Sequence, residues 1–428
     1  MAQKIQSIRG TRDVFPPDSA KWQYVESKAL EVARRFGIEE IRVPTIEKTE
    51  LFTRSVGETT DVVQKEMYTF DKGKESITLR PEGTAGTVRA VMENGLLGGA
   101  LPLKLCYLVS CFRHERPQAG RLREFHQFGA EYFGAASPSA DAEVIHLAAQ
   151  VLEELGIGGV SLHINSIGCP KCRPGYNQKL REYFGAYREQ LCETCKDRLE
   201  RNPLRLLDCK EEGCQAIAKD APLILDHLCE ECSDHFDGLK VRLESMGLPY
   251  SINPKIVRGL DYYTKTVFEF ITDTIGAQGT VCGGGRYDGL VSEMGGPATP
   301  ALGFGMGLER IIMVMEAAGV PLPGPKAPLL YIGSIGEKAE RFALELTAQL
   351  RRAGLPVQCD IMGRSVKAQM KYADKLGARF SCILGDNELT EGSAQIKEMS
   401  TGESSATALT VEGIVERIAS NLSGEKGE

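Results

Sequence analysis

The sequence lacks any apolar run that approaches the roughly 20 residues of a membrane-spanning helix. Residues 1–6 also lack the apolar stretch of a secretory signal peptide. We therefore expect a soluble cytoplasmic protein with no membrane partner. An excess of positive charge is absent too, because the formal net charge at pH 7 is −7. That total argues against a protein that coats nucleic acid, although it leaves room for a local basic surface.

Cysteine is sparse, with 13 residues in a chain of 428. Without an export signal, this composition disfavours a disulfide scaffold and favours reduced thiols or metal ligands. Eight of the cysteines lie between residues 169 and 240. Two Cys-x2-Cys pairs fit a zinc pattern, and four further cysteines could complete a second site or compete with the first. The two sets are Cys169, Cys172, Cys192 and Cys195, and Cys209, Cys214, Cys229 and Cys232. A structural Zn²⁺ is therefore left open, and no residue is assigned as a metal ligand.

The length of 428 residues allows roughly two to four domains. Proline and glycine crowd residues 319–328, which is typical of a stiff linker. We predict a first domain over residues 1–320, a linker over residues 321–328 and a second domain over residues 329–428. The cysteine-rich segment, at about residues 169–240, is predicted to be a helical insertion in the first domain.

Hydrophobic periodicity predicts an α+β first domain, with a mainly antiparallel sheet flanked by helices. The predicted strands are residues 41–45, 76–80, 104–112, 125–133, 160–165, 266–271 and 301–305, and the predicted helices are residues 18–36, 140–155 and 307–318. Beyond the linker, strands at residues 329–332, 357–361 and 380–384 alternate with helices at residues 337–352 and 365–376, which predicts a small α/β domain. The last residues, 423–428, are expected to be disordered.

Residues 258–264 place an arginine, an aspartate and two tyrosines directly before a strand-like run. Polar groups beside a strand cost free energy to desolvate unless they pair with each other or with a ligand. Arg258 offers a fork of donors for a carboxylate or phosphate, and Tyr262 and Tyr263 offer hydroxyls on rigid rings. This segment indicates the wall of a binding pocket. The alternative is a buried ion pair with two core tyrosines. This alternative is the favoured interpretation when these residues are considered alone.

Four arginines surround a Pro/Gly loop between two strand-like arms, namely Arg113, Arg116, Arg121 and Arg123. A bound polyanion would relieve their mutual repulsion. Phe125 supplies an aromatic face on which an adenine ring could stack. An unspecific basic hairpin is the alternative.

Three further segments give weaker signals. Thr84 could cap a helix whose N-terminus favours an anion, although capping alone explains it equally well. The glycines at residues 283–285 allow close approach of a ligand, yet such triplets are more often turns. Residues 301–310 predict a glycine-spaced strand that enters a helix carrying Glu309 and Arg310, without the Gly-Lys-Ser/Thr of a P-loop.

Together these segments resemble those of a known family. The Arg113 hairpin and residues 303–310 resemble motifs 2 and 3 of class II aminoacyl-tRNA synthetases, and residues 41–45, with Pro44, resemble their dimer-forming motif 1. Residues 258–264 and 284–290 (Gly-Gly-Arg-Tyr-Asp-Gly-Leu) are similar to the two peptides particular to histidyl-tRNA synthetases. The resemblance covers essentially the whole chain. It implies the class II synthetase fold, a homodimer and a C-terminal anticodon-binding domain.

The resemblance also implies a reaction. L-histidine and ATP, with Mg²⁺ on the phosphates, would form histidyl-adenylate, and the histidyl group would pass to the 3′ end of tRNA(His). Arg113 and Arg258 would be catalytic, both of them at the α-phosphate. Histidine would contact these two arginines together with Glu82, Gly83, Thr84, Gln127, Glu131, Tyr262 and Tyr263. ATP would contact Arg113, Glu115, Arg121, Arg123, Phe125 and Arg310.

Contacts with tRNA are implied for Arg116 and Gln118 and for a cationic stripe in the second domain. The stripe comprises Arg364, Lys367, Lys371, Lys375 and Arg379, at three- and four-residue spacing along the predicted helix. Spacing alone leaves a solvated face equally open, and the anticodon-binding role favours RNA. Two alternatives remain: a non-catalytic, synthetase-like regulatory subunit of ATP phosphoribosyltransferase, and a class II synthetase for another amino acid, such as glycine or threonine.

Overall fold

The computed structural model describes residues 4–58, 60–274 and 279–424. The chain divides into two compact units, Met1–Gly324 and Pro325–Glu428. No described helix combines the length and the apolar character needed to cross a membrane. The last helix runs to Gly424, so the disorder expected for residues 423–428 is wrong for the first two of them, and the others lie outside the described residues.

The elements follow in chain order. The strands are β1 (Glu39–Glu40), β2 (Ile46–Lys48), β3 (Tyr68–Lys72), β4 (Glu75–Leu79), β5 (Leu103–Phe112), β6 (Glu124–Phe133), β7 (Val160–Ser166), β8 (Tyr250–Ile252), β9 (Thr264–Thr272), β10 (Thr280–Arg286), β11 (Ala301–Gly307), β12 (Leu330–Ser334), β13 (Val357–Cys359), β14 (Phe380–Leu384), β15 (Ser393–Glu398) and β16 (Ser404–Ala408). The helices are α1 (Asp18–Arg35), α2 (Thr49–Val56), α3 (Thr84–Glu93), α4 (Pro138–Glu154), α5 (Arg173–Gly185), α6 (Glu193–Arg201), α7 (Glu212–Ala218), α8 (Glu230–Ser245), α9 (Leu290–Glu293), α10 (Leu308–Ala317), α11 (Glu337–Arg352), α12 (Val366–Lys375), α13 (Asp386–Glu391) and α14 (Val411–Gly424).

An eight-stranded sheet forms the centre of the first unit, in the order β1-β5-β6-β11-β10-β9-β7-β8. The pairs β1–β5 and β7–β8 are parallel and the others are antiparallel, so the predicted mainly antiparallel sheet is confirmed. Helices α1, α4, α8 and α10 cover one face of this sheet and bury the main apolar core against it. The opposite face carries a second apolar cluster, which includes residues of α3 and α9, as well as buried polar side chains.

The strand predicted at residues 41–45 is wrong, because these residues lie outside any strand, between β1 and β2. The guanidinium of Arg80 donates to the carbonyl oxygens of Val43 at 2.7 Å and Pro44 at 3.1 Å. The backbone N–H of Arg80 donates to Thr45 O at 2.9 Å. Proline offers no N–H to a ladder, and Arg80 takes the acceptors that a neighbouring strand would use.

The cysteine-rich insertion is helical, as predicted, and contains α5 to α8 between β7 and β8. The pairing suggested by the sequence is wrong. Cys169 and Cys172 lie with Cys229 and Cys232, whereas Cys192 and Cys195 lie with Cys209 and Cys214. The second set lies in the segment from α6 to α7. The chain then continues so that the start of α8 lies beside the start of α5, where the first set is found. Along the sequence, the first set therefore encloses the second.

The second unit has a five-stranded sheet in the order β13-β12-β14-β15-β16. The first three strands are parallel and the last two pairings are antiparallel. Residues from the sheet, α11 and α14 form its apolar core. The predicted strand–helix alternation is confirmed, and the hairpin of β15 and β16 extends it.

Candidate active site

Glycines recur on the face of the large sheet opposite the main apolar core. In β11, Leu302, Phe304 and Met306 are buried in the helix-covered core. The glycines that alternate with them face the other side, since successive strand residues point to opposite faces. Three glycines stand opposite one another across β6, β11 and β10, flanked by Tyr107 on β5 and Glu269 on β9; they are Gly129, Gly305 and Gly283. This glycine row makes a shallow trough across the sheet.

The two ends of the trough are already filled. A Cβ at Gly129 would lie 2.3 Å from the ring of Tyr107, and a Cβ at Gly283 would lie 2.5 Å from Nη1 of Arg258. A Cβ at Gly305, in the middle, would meet only Gln127, at 3.5 Å. A slot therefore lies above Gly305, between an aromatic ring and a guanidinium, with the Gln127 amide at its edge.

Glu131 is the polar centre of this face and is fully buried. Its Oε1 accepts the hydroxyl of Thr84 at 2.6 Å and that of Tyr107 at 3.0 Å. Its Oε2 accepts the hydroxyl of Tyr287. A carboxylate offers about four acceptor positions, so about one is left for an N–H or O–H of a ligand. Gly303 is required beside it, because a Cβ there would lie 1.7 Å from Glu131 Oε2.

Glu82 places a second buried carboxyl at the start of α3. It accepts the backbone N–H groups of Thr84 and Ala85, each at 2.7 Å. These are donors that the first turn of a helix leaves unpaired, so Glu82 fixes the direction of the helix and with it the Thr84 hydroxyl. At Gly83 a Cβ would lie 2.3 Å from the Tyr107 ring, which leaves no space for a side chain.

Both carboxyls are held in an environment that disfavours their charge. Burial raises the pKa of Glu131 to about 8, with a further contribution from Glu82, against the lowering effect of its three hydroxyl donors. Burial likewise raises the pKa of Glu82, opposed by the Ala85 and Thr84 amides. Glu131 therefore retains its proton at neutral pH until a group with positive charge or an N–H donor favours the ionised form.

Arg258, Tyr262 and Tyr263 line the end of the slot opposite Tyr107. The guanidinium pairs with Glu269 and lies 5.7 Å from the ring centroid of Tyr263. Tyr262 and Tyr263 are buried, with ring centroids 4.6 Å apart. The buried ion pair and the core tyrosines, which the sequence offered as the alternative to a binding pocket, are thus present. In addition, Nε of Arg258 is buried without a hydrogen-bond partner among the described residues, which indicates a donor kept for a ligand.

The Arg113 hairpin carries the remaining cations. Arg113 donates from Nε to Pro81 O at 2.9 Å, and its guanidinium lies 5.3 Å from the ring centroid of Phe125. Arg121 pairs with Glu115 at 2.7 Å. Burial lowers the pKa of Arg310, and the charges of Arg121 and Arg113 lower it further. The charges of Arg121 and Arg113 thus act on Arg310, which favours a polyanionic ligand.

The remaining hairpin residues lie near the loop tip. Arg123 donates from Nε to Glu115 O at 3.3 Å. Gln118 and Arg121 exchange two backbone hydrogen bonds of 3.0 and 2.9 Å around Gly120. Arg116, in the same loop, is exposed. The predicted hairpin is confirmed, and Glu115 offsets part of its positive charge.

The structure adds site residues that the sequence did not reveal. Tyr107 and Tyr287 both donate to Glu131, and Glu269 holds Arg258. The turn that was the alternative for residues 283–285 is wrong, because these residues form the middle of β10. The alternation of Leu302, Phe304 and Met306 with glycine was the available signal for a strand with one bare face. Arg286, by contrast, is buried in an ion pair with Asp141 and has a structural role.

In the second unit, the cationic stripe only partly follows a helix. Helix α12 carries exposed Lys367, Lys371 and Lys375. The placement of Arg364 and Arg379 on this helix is wrong, since both flank it. Arg364 pairs with Asp360 at 2.8 Å and stacks 4.3 Å from the Tyr372 ring centroid. Just before it, Ile361 and Met362 are 79% and 69% exposed, so apolar and cationic groups share one surface.

The first unit therefore combines two neighbouring subsites. One is a slot lined by two protonatable carboxyls, tyrosine hydroxyls and a guanidinium, which suits a small polar molecule with N–H donors and a carboxylate. The other is a cluster of guanidiniums beside an aromatic ring, which suits a polyphosphate attached to a base. Such an arrangement can position two substrates and neutralise charge developing between them.

Comparisons with known proteins agree with this chemistry. A family model described as histidyl-tRNA synthetase matches residues 10–311, and one described as an anticodon binding domain matches residues 329–421. The chain is 55% identical to a histidine–tRNA ligase of Acetivibrio thermocellus, over 94% of this chain and 97% of that protein. A Clostridium perfringens histidine–tRNA ligase is 54% identical, over 96% and 99%. The structure of apo S. aureus histidyl-tRNA synthetase superposes with a TM-score of 0.83 at 38% identity, over 97% of this chain and 100% of that one.

Proposed function

The chain belongs to the histidyl-tRNA synthetase family and has that family's ATP-dependent ligase activity, and we propose that the reaction takes place in the slot between Glu131 and Arg258. The curated relatives are histidine–tRNA ligases over nearly their full length, so a regulatory subunit of ATP phosphoribosyltransferase or a synthetase for another amino acid is not favoured. The observation that carries the site is the buried Glu131 with about one acceptor position left, opposite an arginine donor that has no partner among the described residues.

We assign the imidazole of histidine to Glu131 and Tyr263, with Tyr262 beside them. An imidazole N–H would complete the acceptor positions of Glu131 and stabilise its ionised form. Glu82, Gly83, Thr84 and Gln127 would hold the α-amino group. A pocket built from such paired hydrogen bonds rejects amino acids that cannot supply them.

The histidine carboxylate would then face the α-phosphate of ATP, between Arg113 and Arg258. Its oxygen attacks phosphorus, and pyrophosphate leaves, without abstraction of any proton from carbon. The arginines neutralise the charge that develops on the phosphoryl oxygens. Adenine would stack on Phe125, and the phosphate tail would bind Glu115, Arg121, Arg123 and Arg310, with Glu115 acting through its arginine partner.

Mg²⁺ enters as part of the ATP substrate and supplies further neutralisation of the pyrophosphate. In the second step, the 3′-terminal ribose of tRNA(His) takes the histidyl group. We assign contacts with tRNA to Arg116 and Gln118 in the first unit and to Arg364, Lys367 and Lys371 in the second, and propose a cytoplasmic homodimer, as the family implies.

Labelled pyrophosphate should exchange into ATP in the presence of L-histidine and not with any other standard amino acid. Exchange reports adenylate formation without tRNA, so it tests the slot alone. The assay is run across all amino acids with the full chain. Exchange with another amino acid in place of histidine, or none with folded protein, would contradict the assignment.

Replacement of Gly283 by alanine should lower histidine-dependent exchange by about 10-fold or more while the thermal midpoint changes little. The new Cβ would lie 2.5–2.7 Å from the Arg258 guanidinium, which is the movable end of a flexible side chain. Strain is therefore relieved by displacing Arg258 rather than the sheet. Gly324→Ala is the matched control, because a Cβ there meets nothing within 4 Å. Unchanged exchange in Gly283→Ala would show that the position of Arg258 does not matter.

A further inference from the structure

The insertion contains two buried clusters, each of four cysteines. All 13 cysteines are free thiols. In the first cluster, Cys169 Sγ lies 3.7 Å from Cys172 Sγ and 3.8 Å from Cys229 Sγ. In the second, Cys192 Sγ lies 3.9 Å from Cys209 Sγ. The four sulfurs of each cluster all lie within 4.8 Å of one another.

We infer that the insertion binds two structural zinc ions, the first through Cys169, Cys172, Cys229 and Cys232 and the second through Cys192, Cys195, Cys209 and Cys214. Four thiolates at about 2.3 Å from a tetrahedral Zn²⁺ lie about 3.8 Å apart, which matches the distances found. A disulfide needs sulfurs about 2.05 Å apart. An all-thiolate set is soft and selects zinc over magnesium or calcium.

Backbone N–H groups donate to sulfurs in both clusters. Lys171 N–H donates to Cys169 Sγ at 3.3 Å, and Cys229 N–H donates to Cys172 Sγ at 3.1 Å. In the second cluster, Cys192 N–H donates to Cys214 Sγ at 3.3 Å. Cys172, Cys192 and Cys229 stand directly before α5, α6 and α8, where the helix dipole stabilises negative charge.

Both sites are closed. Six of the eight cysteines are buried, and Cys192 and Cys229 are half-buried. Four protein ligands leave no position for water or substrate, which is typical of structural rather than catalytic zinc. The first ion would join the start of the insertion to the start of its last helix, 60 residues apart in sequence. The second would close α6 onto α7.

The first site also adjoins the loop that carries Arg258, a point that rests on the proposed function. Arg173, next to Cys172, donates to Tyr263 O and, at 3.4 Å, to Ile167 O. Arg205, from the same insertion, donates to Arg258 O at 2.8 Å and Gly259 O at 3.0 Å. Arg173 and Arg205 of the insertion therefore hold the backbone of residues 258–263, and the first zinc would keep Arg173, which follows its ligand Cys172, in place.

Elemental analysis of the full chain, purified without added zinc, should find about two zinc ions per chain. Replacing zinc with Co²⁺ should produce thiolate-to-cobalt absorption and the visible bands of a tetrahedral ion. No bound metal, iron in place of zinc, or native protein in which all eight thiols react rapidly would overturn the proposal. This measurement needs no enzymatic activity, so it stands apart from the exchange assay.

Paired variants test which cysteines share an ion. Cys172→Ser with Cys232→Ser should lose one zinc, and Cys195→Ser with Cys214→Ser should lose the other. Cys172→Ser with Cys195→Ser should lose both, whereas the pairing suggested by sequence spacing would lose one. Cys359→Ser, half-buried and outside both clusters, is the control and should keep both ions.

Hydrogen exchange then tests the support given to the loop. In Cys172→Ser with Cys232→Ser, backbone amides of residues 258–264 should exchange about 10-fold faster than in the parent, while those of β12 and β14 in the second unit stay unchanged. Equal protection of residues 258–264 in variant and parent would refute the supporting role of the first zinc. Zinc content of the parent keeps the site itself testable if this variant does not fold.

Discussion

Replacement of Arg258 by alanine is expected to lower the rate of histidine-dependent pyrophosphate exchange by about 10³-fold or more. Arg258 is the cation at the far end of the slot, and its Nε has no partner among the described residues. In a buried site, a fixed guanidinium stabilises developing phosphoryl charge far more than water would. The loss should therefore lie mainly in kcat, with a smaller change in the KM for histidine, as steady-state exchange kinetics would show.

The ion partner of Arg258 supplies the control. Without the arginine, Glu269 keeps the Thr280 hydroxyl at 3.2 Å but loses its countercharge. Arg258→Ala should thus lower the thermal midpoint as well, because an unpaired, mostly buried carboxylate is destabilising. Adding Glu269→Ala should restore the midpoint without restoring exchange. Near-normal exchange in Arg258→Ala, or recovery of exchange in the double variant, would show that Arg258 and Glu269 form a purely structural ion pair.

Much of the first unit could be predicted because the long strands of its sheet are rich in apolar and aromatic residues. The period of two in β5, β6, β9 and β11 gave strand bounds within two residues. Residues 41–45 show the same alternation, yet the Arg80 side chain takes their carbonyls, an interaction between distant segments that no local pattern contains. The glycine triplet of β10 was hard to recognise as a strand, because a strand without side chains resembles a turn in sequence.

The site residues could be predicted from motifs that occur in a known order along the chain. The residues that hydrogen-bond to them could not, because those contacts depend on the register of the strands. Tyr107 donates to Glu131 because β5 pairs with β6 so that both residues lie on the face opposite the main apolar core. Tyr287 reaches the same carboxylate only because β10 ends beside β9 and β11. The cysteine sets are a similar case. Their spacing indicates that metal ligands exist, whereas the path of the chain through α7 decides which cysteines lie in the same cluster.

Glu131→Gln is expected to lower kcat/KM for histidine in the exchange assay by about 100-fold or more. The glutamine amide keeps the shape of the side chain but cannot carry the negative charge that an imidazole N–H would stabilise. One of its two terminal groups is also a donor, so it cannot accept all three hydroxyls that now reach the carboxylate. Exchange kinetics over a range of histidine concentrations give the comparison.

The same variant should gain stability relative to the parent as the pH rises. In the folded chain the pKa of Glu131 is raised to about 8 by burial, against 4.5 for an ordinary glutamate. The stability linked to its bound proton is complete below pH 4.5 and is lost as the pH rises through 8. Glutamine has no proton to lose, so the free energy of unfolding should shift in favour of the variant by roughly 1.4 kcal/mol per pH unit in that window.

Thermal midpoints of parent and variant, measured between pH 5 and pH 9, separate this effect from any constant cost of the substitution. Their difference should move toward the variant up to about pH 8 and then level off. Glu26→Gln is the control, because Glu26 on α1 also has a pKa raised by burial but lies outside the slot. It should keep normal exchange with histidine. A pH-independent difference for Glu131→Gln would mean that Glu131 is ionised in the empty slot, and histidine would then meet a preformed carboxylate.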